Sequence, residues 1–131
     1  MTNDEITMTK EYRMPNDKRF DLEERTARFG EAVIGLAKKI ATGPVNSPLI
    51  NKLVRAATSV GANYAEADDA YSKKEFLMKI GICKKEARET KHWLRMLATA
   101  EPALKNDARV LWQEAKELHL IFAAISRKGR S

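Results

Sequence analysis

The feature that most constrains this chain is a row of residues spaced by fours and threes. Phe76, Ile80, Cys83, Ala87, Thr90, Leu94 and Leu97 follow that alternation without a break. An α-helix turns once every ~3.6 residues, so the spacing puts all seven on one face. Three more rows obey the same rule. Leu22, Thr26, Phe29, Val33, Leu36 and Ile40 form the first. The second helix reads Ile50, Leu53 or Val54, Ala57, Val60, Tyr64, Ala67, and the fourth reads Leu104, Ala108, Leu111, Ala115, Leu118, Phe122, Ile125. Four amphipathic helices of similar length with short connections pack as antiparallel neighbours. The predicted fold is all-α, an antiparallel up-and-down four-helix bundle over residues 20–131.

Local signals set the expected boundaries. Asp21 and Glu24 have the spacing of a capping pair, which starts the first helix near residue 22 and lets Gly43-Pro44 end it. Ser47-Pro48 reads as a cap followed by a first-turn proline. Ser72 and Glu75 form a second capping box before a helix over 73–98. Small residues from Ala56 to Ala62 predict the closest helix crossing in the fold. Residues 1–19 show no sustained stripe, contain Pro15, and are expected to form a flexible arm.

Some apolar residues fall beside these rows: Met78, Ile82, Trp93 and Met96 on the third helix, Val110, Trp112, Leu120 and Ile121 on the fourth. They fit either a wide monomer core or a subunit interface. The lone cysteine, Cys83, cannot close an internal disulfide, and no apolar run approaches ~18 residues. Met1 to Arg19 lacks a signal peptide's apolar core, so a cytoplasmic protein is expected.

One string is too polar for an ordinary amphipathic helix: Arg55-Ala-Ala-Thr-Ser-Val-Gly-Ala-Asn63-Tyr-Ala-Glu66. With Phe20-Asp21-Leu22, Ser72-Lys-Lys-Glu-Phe76 and Lys84-Lys-Glu-Ala-Arg-Glu-Thr-Lys-His-Trp-Leu94, it closely resembles the bacterial 23S rRNA-intervening-sequence protein family, over about residues 20–125. That resemblance implies a four-helix bundle assembling into a homo-oligomeric ring, commonly a pentamer. Some members are encoded inside ribosomal RNA gene insertions. A related branch serves diversity-generating retroelements as an accessory protein that binds nucleic acid and a reverse transcriptase. Here Ala67-Asp-Asp-Ala70 follows Glu66, an acidic departure that disfavours a nucleic-acid contact at that loop.

Charge is where a function shows first. Lys and Arg number 24 against 18 Asp and Glu, a net charge of +6 that raises the prior for an anionic partner. Lys84, Arg88, Lys91 and Arg95 recur at steps of four, three and four on the third helix. Such a row can track the phosphates of RNA or DNA without sequence preference. It can equally be a solvated face, with Glu86 or Glu89 pairing to a neighbouring lysine. Arg55 stands three turns from Glu66, so Arg55, Asn63 and Glu66 should find partners on adjacent helices or subunits, in a structural or interface role.

The chemistry-bearing types do not assemble into a catalytic set. Glu89 and His92 have the Glu-x-x-His spacing of di-iron bundles, but His119 has Lys116 where its glutamate would stand. Cys83 sits in an apolar row, and there is no glycine-rich phosphate loop. The reading is a non-catalytic binding or scaffold protein with no metal and no cofactor. It engages nucleic acid through the third helix, or else acts as a protein–protein adaptor forming a homo-oligomeric ring.

Overall fold

The computed structural model describes residues 18–130. Four helices follow one another: α1 (Lys18–Ala37), α2 (Asn46–Asp68), α3 (Lys73–Ala100) and α4 (Lys105–Arg130), the last entered through a 3₁₀ turn at Pro102–Leu104. Residues 1–17 of the expected arm lie outside the described residues, while Lys18 and Arg19 belong to the helical backbone of α1.

The helices form a closed cycle in which α1 meets α2, α2 meets α3, α3 meets α4, and α4 returns to α1. Paired residues show the directions. Arg55 and Glu66 of α2 reach Glu89 and Lys79 of α3, so one number rises as the other falls. Arg25 of α1 and Lys39 just past its end reach Glu114 and Asp107 of α4 in the same opposed sense. The bundle is therefore antiparallel and up-and-down, as the apolar rows predict.

Those rows supply the core. Every residue of the α1 row is buried, Thr26 and Ile40 included. In α3 only Phe76 of the seven is partly exposed. Thr26 tolerates burial because its hydroxyl donates to the Leu22 carbonyl at 2.7 Å within its own helix. Helices α1 and α2 approach each other closely at two glycines. A methyl group at Gly61 would stand 3.4 Å from the backbone carbonyl carbon of Thr26, and one at Gly30 would stand 3.6 Å from Cα of Thr58. Glycine at these two places lets the helix axes approach.

Three boundaries differ from expectation. Helix α1 starts at Lys18, so Asp21 lies inside it and is not its cap. No proline or glycine separates Lys18 from Asp21, and nothing there resists helical geometry. At its other end α1 stops at Ala37 and tightens, with Lys39 and Ile40 N–H donating to the Leu36 and Ala37 carbonyls three residues back. Helix α2 starts at Asn46 behind Val45, which makes no side-chain cap. The Ser47 hydroxyl instead accepts from the Gly43 N–H at 3.1 Å, serving the loop. The Ser72 cap forms as predicted, accepting from Glu75 N–H at 3.1 Å. The Glu75 carboxylate returns to the N–H of Tyr71, one residue before the cap.

The off-row apolar residues divide. Trp93, Trp112 and Ile121 pack against the core, whereas Met78, Val110 and Leu120 are exposed.

The α1–α4 seam is the thinnest contact in the cycle and depends on ions. Arg25 donates from Nε and Nη2 to both oxygens of Glu114, at 2.7 and 2.8 Å, and from Nη2 to Glu117 at 2.9 Å. A fork matched to a carboxylate is among the stronger polar contacts, and Arg25 is largely shielded from solvent. Arg25→Met should therefore lower stability by about 1–2 kcal/mol, read as a reduced urea midpoint with an unchanged slope.

Candidate nucleic-acid interface

Residues on either side of α3's buried row leave the helix toward different neighbours. On the α2 side stand Lys79, Glu86, Glu89 and Trp93. On the α4 side stand Lys84, Arg88, Lys91 and Arg95. The two flanks carry opposite chemistry.

On the α2 flank the carboxylates are consumed. Arg55 reaches Glu89 at 3.2 Å and Glu86 at 3.6 Å. Glu89 also accepts from the Trp93 indole N–H at 3.1 Å. That hydrogen bond, with the Arg55 charge, holds Glu89 below the usual carboxylate range. Glu86 is buried, and its second oxygen has no hydrogen-bond partner among the described residues. The expected local pairing of Glu86 or Glu89 with a lysine of α3 does not form. Both carboxylates project toward α2, away from the lysine row, and meet Arg55 first. Farther along, Lys79 meets Glu66 at 2.6 Å. Asn63 turns back on its own helix, its amide donating to the Ser59 carbonyl at 2.8 Å. Arg55, Asn63 and Glu66 thus lie along α2 without meeting one another, two of them bridging to α3.

The α4 flank carries only cations. Lys84, Arg88, Lys91 and Arg95 face α4, which answers with Lys105, Arg109, Lys116 and His119. Lys91 and Lys116 place their ammonium groups 5.6 and 5.8 Å from the centre of the Trp112 ring. The acids of α4 point elsewhere: Glu114 and Glu117 to Arg25, Asp107 to Lys39. Among the described residues, none of the seven Lys and Arg side chains on this face has a carboxylate within ion-pair distance.

The α4 half of this face was missed by sequence reasoning, although a signal exists. Lys105, Arg109, Trp112, Lys116 and His119 repeat the four–three alternation beside the apolar row. The spacing marks one flank of α4, and only the packing shows that this flank joins α3's basic row.

Two depressions open along the α3–α4 groove. One, of about 340 Å³, is lined by Gly81, Lys84, Lys85, Arg88, His119 and Ser126. Burial pushes the His119 pKa down, and the charges of Lys91, Lys84 and Arg88 push it further the same way. The ring is therefore neutral at pH 7 and presents one donor and one acceptor beside cations. The other depression, about 510 Å³, has an apolar floor that includes Leu94, Ala98 and Ala108.

Groups that could support other chemistry are placed apart. His92 packs edge-on against Trp93, with ring centres 4.8 Å apart, while Glu89 is held by Trp93 and Arg55. Among the described residues no three of His, Cys, Asp and Glu gather as metal ligands. Burial pushes the Cys83 thiol up to about 12, and its sulfur lies 3.5 Å from the Val60 carbonyl. Such a thiol stays protonated and is a poor nucleophile.

These features define a class, an all-helical bundle with carboxylates paired inside its seams and an uncompensated cationic face over α3 and α4. The chain belongs to the 23S rRNA-intervening sequence protein family, whose sequence profile matches residues 18–124. It is also similar to a crystal structure from Bacteroides thetaiotaomicron VPI-5482, a protein of unknown function from the S23 ribosomal protein family. The two share 27% identity and a TM-score of 0.70, over 80% of this chain and 97% of that one. None of the curated proteins compared with the chain matches it. No helix among the described residues is long and apolar enough to cross a membrane.

Proposed function

We propose that this chain is a non-catalytic binding protein that holds nucleic acid by its phosphates on the α3–α4 face. The observation that supports this is the segregation of charge. Glu86 and Glu89 of α3 are turned to Arg55, and Glu114, Glu117 and Asp107 of α4 to Arg25 and Lys39, so that Lys84, Arg88, Lys91, Arg95, Lys105 and Arg109 have no carboxylate partner among the described residues. Cations already paired would have to break those pairs to meet a polyanion, and these do not. Phosphates recur along a strand as these side chains recur along two parallel rows. Fluorescence anisotropy with a labelled mixed-sequence oligonucleotide tests the reading. Affinity should fall steeply between 50 and 200 mM salt, with a log–log slope of about −3 to −5 for four to seven phosphate contacts on a single strand. Failure to bind at the lower salt would end it.

Self-association is a second reading, favoured by the opposite side of the bundle. There Gly30, Gly61, Ala27 and Ala62 floor a groove between α1 and α2, edged by Glu23 and Glu31 and by exposed Ile34. A shallow acidic seat of this kind suits a cationic helix surface from a second copy, which is how a head-to-tail ring is built. Light scattering coupled to size exclusion should give a mass above the monomer; a monomer at high concentration removes this reading.

A further inference from the structure

We propose that the groove between the C-terminal half of α3 and the first half of α4 receives one unpaired nucleobase, which makes the face selective for single strands. This rests on the nucleic-acid reading above and specifies what that face distinguishes.

The groove differs from its neighbour in its chemistry. Around His119 the lining side chains are Lys84, Lys85, Arg88, His119 and Ser126, each with a polar head that suits a phosphate. In the groove, by contrast, half-buried Ala98 and Trp112 present apolar surface above the buried Leu94 and Ala108, and cations stand only at the rim as Arg95, Lys105 and Arg109. Pressing a phosphate against that floor would strip its water without replacing it. A nucleobase has the opposite make-up, with flat apolar faces, polar edges and a charged linkage on either side. Its faces suit the floor and the indole, and its flanking phosphates suit the three rim cations. Gln113 is the one neutral side chain on the lining able both to donate to a base edge and to accept from it.

The volume of about 510 Å³ lies in the range of small-ligand sites. It is ample for one nucleoside and far too narrow for a duplex. Bases in a duplex are stacked and paired, and cannot enter without being unstacked. A single strand offers its bases freely, and stacking on an aromatic side chain tolerates any base. Lys91 and Lys116, already over the Trp112 ring, extend the row of cations beyond the inserted base.

The experiment compares three ligands of matched phosphate number on the full chain at low salt: a mixed-sequence single strand, the same strand made wholly of abasic sites, and a blunt duplex. The normal strand should bind about tenfold or more tighter than the abasic one, from stacking of a single base. It should also quench Trp112 emission in a Trp93→Phe background, where the abasic strand should not. Ala98→Leu fills the groove and leaves every cation in place. It should bring the normal strand down to the abasic strand's affinity while abasic binding stays as it was. Equal affinity for normal and abasic strands in the unmodified protein overturns the inference and leaves phosphate binding intact. Failure of all three ligands defeats the underlying reading as well. Trp112 emission that changes with protein concentration alone means that a second copy covers the groove, and this also overturns the inference.

Discussion

Exchanging Lys84, Arg88, Lys91 and Arg95 for glutamate should lower affinity for a single-stranded oligonucleotide by at least about a thousandfold at 50 mM salt. Each cation that meets a phosphate releases condensed counterions, so removing four contacts also flattens the log–log salt slope by about 3. Reversal adds repulsion to that loss. The bundle should survive, because Arg88 and Arg95 are exposed and none of the four makes an ion pair that holds two helices together. A parallel variant of Arg55 and Lys79 to glutamate carries the same kind of charge change on the α2 flank. It should cost stability and leave the salt slope of binding in place. Anisotropy over a salt series, with circular dichroism as the folding control, reads both. A loss of binding free energy in proportion to charge, with the double variant losing about half of what the quadruple one loses, would mean that only net charge matters and that the α3–α4 face has no special part.

The largest effect on stability should come from Phe122→Ala. Phe122 is fully buried, and its ring packs against Tyr64 with centroids 6.0 Å apart. It joins α4 to α2 across the bundle, where no backbone contact links the two helices. Truncation removes the ring's burial and leaves a void that flanking helices cannot close without shifting, a cost of about 3–5 kcal/mol. A domain of this size holds on the order of 5–15 kcal/mol in all. The urea midpoint should fall by about 2 M, given a slope of roughly 2 kcal/mol per molar. Phe122→Leu keeps most of the volume and should lose less than half as much. A change under about 1 kcal/mol for the alanine variant would show that the core is looser than the full burial it shares with Leu53, Val60 and Leu118 implies.

The apolar rows were legible because burial is periodic. A helix that hides Val33 must also hide Leu36 and Phe29, whatever covers them. Glycine and serine signals were less legible, because each has several possible partners. Ser47 had the sequence signature of a cap for α2, but the helix starts at Asn46, which puts Ser47 inside the first turn and leaves its hydroxyl to accept from Gly43. The site was half legible for a related reason. Spacing groups Lys84, Arg88, Lys91 and Arg95 on one flank but does not reveal which helix lies beside it. Only packing shows that Lys105 and Arg109 continue the same face. Nor does spacing reveal that Glu86 and Glu89 turn away to Arg55. Met78, Val110 and Leu120 fitted either a wide core or a subunit interface, and their exposure in the single chain takes them out of the core.

The ionic closure between the first and last helices carries a consequence of its own. Grease does most of the holding along three edges of this four-sided tube, even where Arg55 and Lys79 add ions to it, whereas the thinly packed fourth leans on the buttons that Arg25 and Lys39 supply. Mobile salt weakens such buttons far more than it weakens packed side chains. Brine should therefore make the barrel gape along that single edge, with α1 exchanging its amide hydrogens sooner than α3, as the same ions loosen any polyanion from the far wall.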